Sequence, residues 1–343
     1  MQKRAAKWPP VSRHSVAPPT LSIVIVNWNT GVQLRDCIQS ILATQREHFV
    51  LTDVIVVDNA SSDGSTNGIN ELGISIQLIR HSENRGFAAA CNHGASIASG
   101  DYLLFLNPDT RLLEESLEVP LAYMHLRENA RVGVCGIQLI DERGRSGHSY
   151  ARFPSLIGIT LRALGIHKMS SRFNRYREGV IAESEGVKVV DQVIGAFFVV
   201  RKKLFQRLGG FDERFFVYFE EVDFSWRAKK QGWTSVCLDG ARCIHIGGGA
   251  SRQVKAARLF YSLRSRILFG FKHFTLPAAI LLVVISLLPE FFTRLIYSLL
   301  RGTWTGASHV VKGYAMLIKE LPVVLASALR MRREQGLSQE FTD

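Results

Sequence analysis

The 343-residue chain contains no CxxC pair, and its five cysteines, Cys37, Cys91, Cys135, Cys237 and Cys243, are scattered and odd in number. That argues against a disulfide framework or a zinc ribbon and suits reduced thiols in the cytosol. No GxGxxG follows the first apolar run, and no GxxxxGKS/T occurs anywhere. Dinucleotide-binding and P-loop chemistry are therefore disfavoured. The first twenty residues, with Pro9, Pro10, Pro18 and Pro19, lack the apolar run of a signal peptide. Residues 1–19 read as a flexible basic arm. The stretch TLPAAILLVVISLLP holds about fifteen uncharged residues, fewer than the roughly twenty that span a bilayer comfortably.

What is present is an ordinary globular composition, 47% hydrophobic and 21% charged, which excludes wholesale disorder. The net charge is +12, and it is unevenly spread. Residues 252–343 carry 13 Lys/Arg against 5 Asp/Glu, whereas residues 1–251 carry 29 against 25. A basic excess serves nucleic acid or an anionic membrane. Here it coincides with apolar helical patterning, which points to the membrane and not to nucleic acid. Basic residues flank the apolar stretch on both sides: Arg264, Arg266 and Lys272 before it, Arg294 and Arg301 after it. That favours both flanks on the cytoplasmic side and an interfacial or re-entrant hairpin over a single span.

Residues 20–110 alternate strand and helix. LSIVIVNWN is a β-branched run suited to a strand buried on both faces. Gly31 then opens a helix with Val32, Leu34, Ile38, Ile41 and Leu42 on its apolar side. DVIVVDNA is a second strand, followed by an SSDGS loop that caps a further helix. ISIQLIR, the small-residue helix GFAAACNHGASIASG and DYLLFLNPD complete the series. Such alternation argues for a parallel sheet with helices on both faces, in which ligands sit beyond the C-terminal strand ends. Asn27, Asn29, Asp58, Asn59, Asn107 and Asp109 fall at those ends. Residues 150–187 resist assignment. GGFDERFFVYFEEVDFSWRAKKQG predicts a turn and a helix starting near Glu220, and WTSVCLDGARCIHIGGGAS a strand leading to His245 and a glycine run.

Several of these residues suit particular chemistry. A strand-end carboxylate such as Asp109, in Asn107-Pro108-Asp109, can hold Mg²⁺ or Mn²⁺ against a diphosphate. His245 can complete that site. Asp58 can accept from ribose hydroxyls or a base imide, and Asp63 suits the same loop or a helix cap. Asn84, Arg85 and Gly86 stand at a strand-to-helix junction, where backbone N–H groups and the guanidinium attract phosphate. Glu220, Glu221 and Asp223 are close enough to repel, which raises at least one pKa and suits a general base.

In this order and spacing, over roughly residues 20–250, these segments resemble the family 2 glycosyltransferases, particularly their rhamnosyltransferase-like branch. The resemblance implies an α/β GT-A fold, a mixed Rossmann-like sheet flanked by helices, over 20–251, with 252–343 as a helical membrane-associated tail. It implies a nucleotide diphosphate sugar donor, a divalent metal and inversion at the anomeric carbon. By the same resemblance Asn27, Trp28, Asn29 and Asp58 line the nucleotide. Asn107–Asp109 stands where the family has DxD, with Asp109 and His245 on the metal, and Gly195 and Ala196 lie near the donor sugar and acceptor. The family's base falls at Glu221, with Glu220 and Asp223 as alternatives. dTDP-rhamnose or a UDP-hexose is the implied donor, and a glycan or polyprenyl-linked glycan at the cytoplasmic membrane face the implied acceptor. The competing readings are a sugar nucleotidyltransferase, which needs a Gly-rich basic loop that WNTGVQLRD does not supply, and a non-catalytic membrane-binding protein.

Overall fold

The first apolar run does form a strand, β1 (Thr20–Asn27), buried from Leu21 to Asn27. It leads into α1 (Val32–Leu42). The structure, a computed structural model, describes residues 17–166, 180–247 and 254–340; residues 1–16 of the arm, 167–179 of the unassigned stretch, and Gly248 and Gly249 lie outside the described residues. In α1 the buried stripe is Leu34, Cys37, Ile38 and Ile41, an i, i+3, i+4, i+7 set. Val32 and Leu42, expected on that stripe, face out at 75% and 45% exposure, because each lies off the arc those four define.

The chain continues through β2 (Val50–Asp58), β3 (Gln77–Arg80), α2 (Phe87–Ile97), β4 (Tyr102–Leu106), β5 (Thr110–Leu112), α3 (Glu118–His125), β6 (Val132–Ile140) and β7 (Tyr150–Ala151). The helix expected after SSDGS is only a 3-10 turn, Ile69–Glu71. Its N-cap position is Gly68, which makes no side-chain cap hydrogen bond, and Ser65 and Asp63 bond instead within the loop. Next come α4 (Leu156–Ala163), β8 (Val180–Ser184), β9 (Val187–Val190), β10 (Gln192–Val193), β11 (Phe197–Arg201), α5 (Lys202–Arg207), α6 (Glu220–Lys230) and β12 (Thr234–His245). Four helices close the chain: α7 (Lys255–His273), α8 (Leu276–Leu287), α9 (Pro289–Leu300) and α10 (Trp304–Glu340).

The main sheet runs β3-β2-β1-β4-β11-β6-β12-β9-β8, with β5 on β12. It is mixed, not parallel throughout. β3, β2, β1 and β4 are parallel, but β11 is antiparallel to both β4 and β6. β12 is parallel to β6. One consequence organises the site. The C-terminal ends of β1, β2, β4 and β12 share an edge, and the reversed β11 brings its start, just after Gly195 and Ala196, to that same edge.

Hydrophobic clusters cover both faces. One packs Leu34, Ile38 and Ile41 of α1 on β1 and β2. The other packs Ala88, Ala90 and Cys91 of α2 with Phe105, Phe198 and Phe224. Gly94 lets α2 lie against the sheet, since a Cβ there would meet Val24 Cγ1 at 2.5 Å. The five cysteines are buried and form no disulfide.

The chain divides into two compact units. The first holds the sheet: Met1–Phe153, Glu178–Asp212 and Glu221–Ala250. The second comprises Pro154–Arg177, Glu213–Glu220 and Ser251–Asp343. In this helical unit α7 packs on α8 and α10, α8 on α4, and α9 on α10. Its buried polar centre is Glu290, bound by Arg266 and Arg294, beside Ser286, whose carbonyl accepts from Tyr314 Oη at 3.0 Å.

Candidate active site

Two asparagines stitch the end of β1 to the loop after β2. Asn27 Nδ2 donates to Asp58 Oδ1 at 2.8 Å and to Ser61 and Ser65 Oγ at 3.0 and 2.8 Å. Asn29 accepts from Ser62 N at 2.8 Å, and its own N–H donates to Ser61 Oγ at 3.0 Å. Asn29 takes a positive φ of 50°, which asparagine tolerates better than most side chains. Asp63 joins the same lattice, accepting from Gly31 N at 2.8 Å and Ser65 N at 3.0 Å, and these bonds hold its carboxyl below the usual range against the opposing effect of burial. Asn27, expected among the nucleotide-lining residues, is fully buried, and its amide is spent on the loop. Trp28 and Asn29 are partly exposed.

Asn59, next to Asp58, clamps the NRG turn. Its Oδ1 accepts from Arg85 N at 3.0 Å, and its Nδ2 donates to Asn84 Oδ1 at 2.9 Å and Gly86 O at 3.1 Å. Gly86, at φ 88°, turns the chain into α2. The backbone is thereby held while the Arg85 side chain stays exposed. Behind the clamp His81 Nδ1 meets Asn59 Oδ1 at 3.0 Å, and His81 Nε2 meets His93 Nδ1 at 2.9 Å. Since Asn59 Oδ1 only accepts, the His81 proton sits on Nδ1 and His93 donates to Nε2. Burial, then the neighbouring His93 and Arg85, push the His81 pKa down. Sequence reasoning missed both histidines, for no motif marks a pair twelve residues apart.

At the centre of the edge, Asn107 N donates to Ala196 O at 3.0 Å. Thr110 closes the NPD turn by donating its N–H to Asn107 O at 3.1 Å. β5 then pairs with β12, opposing Thr110 to His245, and Ile246 N donates to Asp109 O at 3.1 Å. Asp109 Oδ1 and His245 Nε2 consequently stand 3.4 Å apart. Ser40 of α1 fixes the short β5 by accepting from Leu112 N at 2.9 Å, and Ser116 bonds Arg242 O at 2.6 Å.

The three acidic candidates separate. Asp223 is fully buried and accepts from Arg227 Nε at 2.8 Å, while that guanidinium also binds Leu208 O and Gly210 O. This ion pair ties α6 to the turn before it. Glu220 is buried and belongs to the helical unit, the division falling between it and Glu221. Glu221 lies beside Gly195, where an added Cβ would be 3.6 Å from the carboxyl. Its Oε2 is shut off from water and has no hydrogen-bond partner. Burial raises its pKa, opposed by N–H donors of Glu221, Val222 and Gly195. Thus Asp58, Asn107, Asp109, His245, Gly195, Ala196 and Glu221 gather at one edge of the sheet.

The profile of Glycosyl transferase family 2 matches residues 22–209. The chain belongs to this family. Its sequence is 27% identical over 268 residues, 73% of this chain and 83% of the relative, to N-acetylglucosaminyl-diphospho-decaprenol L-rhamnosyltransferase of Mycobacterium tuberculosis. Among solved structures this family 2 glycosyltransferase is similar in fold to GalNAc-T7 with UDP, GalNAc and Mn²⁺, at a TM-score of 0.54 and 17% identity. The match covers 74% of this chain and spans about half of that one, 48%. Mannosyltransferase PcManGT from Pyrobaculum calidifontis, with GDP-Man and Mn²⁺, matches at a TM-score of 0.51 and 15% identity over 93% of this chain and 89% of that one. The fold is therefore GT-A-like, as the sequence motifs implied.

Among the described residues no three His, Cys, Asp or Glu side chains gather as a metal cage. Asp109 and His245 form a pair, which fits an ion that takes one or two protein ligands and fills its shell with phosphate and water. A groove of about 780 Å³ lies elsewhere, lined by Tyr102, Lys202, Arg207 and Trp233. Its Arg201 is engaged by Val132 O, Met124 O, Asn129 O and Tyr102 Oη, and none of the residues gathered above lines it.

Proposed function

We propose that this family 2 glycosyltransferase moves a sugar, with inversion, from a nucleotide diphosphate donor to a hydroxyl of a polyprenyl-linked glycan at the cytoplasmic membrane face, in cell-surface polysaccharide synthesis. Rhamnose from dTDP-rhamnose is the first choice, because the mycobacterial relative is named a rhamnosyltransferase acting on a diphospho-decaprenol glycan; a hexose from a UDP-hexose is the second. The observation that carries the reading is Glu221: a carboxyl with one oxygen enclosed and unpartnered, its pKa raised by burial, beside Gly195 on the edge that also holds Asp109 and His245.

In the proposed reaction the acceptor hydroxyl gives its proton to the Glu221 carboxylate as its oxygen bonds the anomeric carbon. The bond from that carbon to the donor phosphate breaks on the opposite face, and one displacement inverts the configuration. Gly195, lacking a side chain, keeps the space beside the carboxyl clear. Trp28 and Asp58 face the nucleotide, and the exposed Arg85 supplies charge for the departing diphosphate. Asp109 and His245 are the residues that would hold a divalent ion, which when bound neutralises negative charge on the leaving group.

A panel of nucleotide sugars with Mg²⁺ or Mn²⁺ and a short polyprenyl-diphosphate glycan tests the reading. The expected products are a nucleoside diphosphate and a glycoside of inverted configuration, seen by NMR. Release of sugar 1-phosphate with transfer of the nucleoside monophosphate, in place of nucleoside diphosphate release, would make the protein a nucleotidyltransferase, and a retained configuration would rule out Glu221 as the base of a single displacement.

A further inference from the structure

We propose that α8 and α9 form a ridge that docks into one leaflet of an anionic bilayer without crossing it. This deepens the membrane-face part of the function proposed above. Its test uses no donor or acceptor, so its failure and the failure of glycosyl transfer are separately visible.

The first observation is a row of outward apolar side chains. Ile280, Val284, Leu288, Phe292, Ile296 and Leu300 are 45–82% exposed; a step of four residues drifts only about 40°, so Ile280, Val284 and Leu288 share one side of the first helix and Phe292, Ile296 and Leu300 one side of the second. Single exposed apolar residues are ordinary, but six large ones turned outward on two consecutive helices are not. The only charges between Leu276 and Leu300 are Glu290 and Arg294. They pair with each other, and Glu290 is 2% exposed, so no acidic group opposes lipid on the ridge.

The second observation names the covering partner. Residues 252–343 carry 13 basic against 5 acidic residues, a balance that attracts anionic headgroups and repels a second copy of the same surface. At the end of the ridge Arg301 stacks on Tyr297 at 4.6 Å, and Trp304 is 79% exposed. Aromatic and basic side chains together suit the headgroup layer.

The third observation argues against a span. Leu276–Leu300 is 25 residues long and holds a stretch of mean hydropathy 2.1; as one straight helix it would reach about 37 Å at 1.5 Å per residue, enough for a hydrocarbon core of about 30 Å. A proline interrupts it. Leu288 has φ −103° and ψ −80°, and Pro289 starts α9, leaving two twelve-residue helices of about 18 Å each. The inner side of the pair is committed to protein. Glu290 binds Arg266 of α7, Ser286 Oγ accepts from Arg266 at 2.9 Å, and Ser286 O accepts from Tyr314 of α10. A lipid-wrapped span is apolar all round, whereas this segment holds Leu282, Ser286 and Glu290 against protein.

The test is sedimentation of the full chain with vesicles of phosphatidylcholine alone or mixed with phosphatidylglycerol. Binding is expected to favour the anionic vesicles, to weaken with salt, and to fall at least tenfold in Phe292→Glu/Ile296→Glu at an unchanged melting temperature. Leu300→Glu, at the most exposed position, replaces the double variant where that variant does not fold. Because the five native cysteines are buried, Leu288→Cys accepts a fluorophore selectively. Nitroxide lipids should quench it at a shallow depth, about 5–10 Å into the headgroup and acyl boundary. Quenching from the bilayer centre would overturn the proposal in favour of a span. A chain that ignores vesicles, or that hides the ridge in a soluble dimer, would overturn it as well.

Discussion

The sheet unit and the helical unit differ in the polar groups they enclose and in the large apolar side chains they turn outward. At the sheet edge the polar residues are inside: Asn27, Asp58, Asn59 and Asp109 are all under 10% exposed, and the first three bond one another's loops. Two apolar clusters fill the interior of that unit, with Val32 and Leu42 among its exposed exceptions. In the helical unit large apolar side chains such as Phe292 and Leu300 point outward, while Glu290 and Ser286 are sealed within. Each arrangement suits a different surrounding. The first prepares fixed dipoles and charges for a polar ligand; the second suits a solvent less polar than water on one side.

Substitutions in either unit put this contrast at risk. The largest effect is expected in the helical unit. Arg266→Ala strips Glu290 of its inter-helix partner, and losing one side of a buried pair costs about 3–5 kcal/mol, measurable by denaturant titration. Arg294→Ala, at a more exposed guanidinium on Glu290's own helix, should cost about 1 kcal/mol or less. Equal losses would make the polar centre an ordinary surface pair. Next, Asp109→Ala should lower transfer about 10²–10³-fold while vesicle binding stays unchanged. A parallel loss of both would merge the two regions' roles. Gly94→Ala, which drives a methyl against Val24 and Val57, should destabilise the sheet unit by about 1–3 kcal/mol, read as a shift of its melting transition.

The smallest expected effect is on stability and concerns pH. The Glu221 pKa is raised in the folded chain, so its charged form is penalised there. Relative to Glu221→Gln, the wild type should be less stable above the folded pKa. The gap should close as pH falls below the unfolded value of about 4.3. Thermal melts at pH 4 and pH 8 check this; an identical difference at both would mean that the carboxyl is not held out of water.

Much of this was legible in the chain because it is local. β-branched runs, strand-end asparagines and the small-residue helix announced β1, β2, β4 and α2. The reversal of β11 was not legible from its own residues, since FFVVR suits either direction and its neighbours decide. The meeting of Asp109 with His245 depends on β5, three residues long, finding β12 more than 120 positions away. The choice among Glu220, Glu221 and Asp223 does carry a readable signal. Arg227 stands four residues after Asp223, the spacing of a helical ion pair, and it occupies that carboxylate. Val32 and Leu42 fall outside the core because the apolar pattern of α1 is wider than its buried stripe.

The central claim is that Glu221 removes the acceptor proton at an edge where Asp109 and His245 face the donor diphosphate. Its most direct test is Glu221→Gln, with donor affinity measured by calorimetry and transfer measured under saturating donor. The account predicts donor affinity within about twofold of wild type and transfer lowered by about 10²–10⁴-fold. Transfer at the wild-type rate would contradict it.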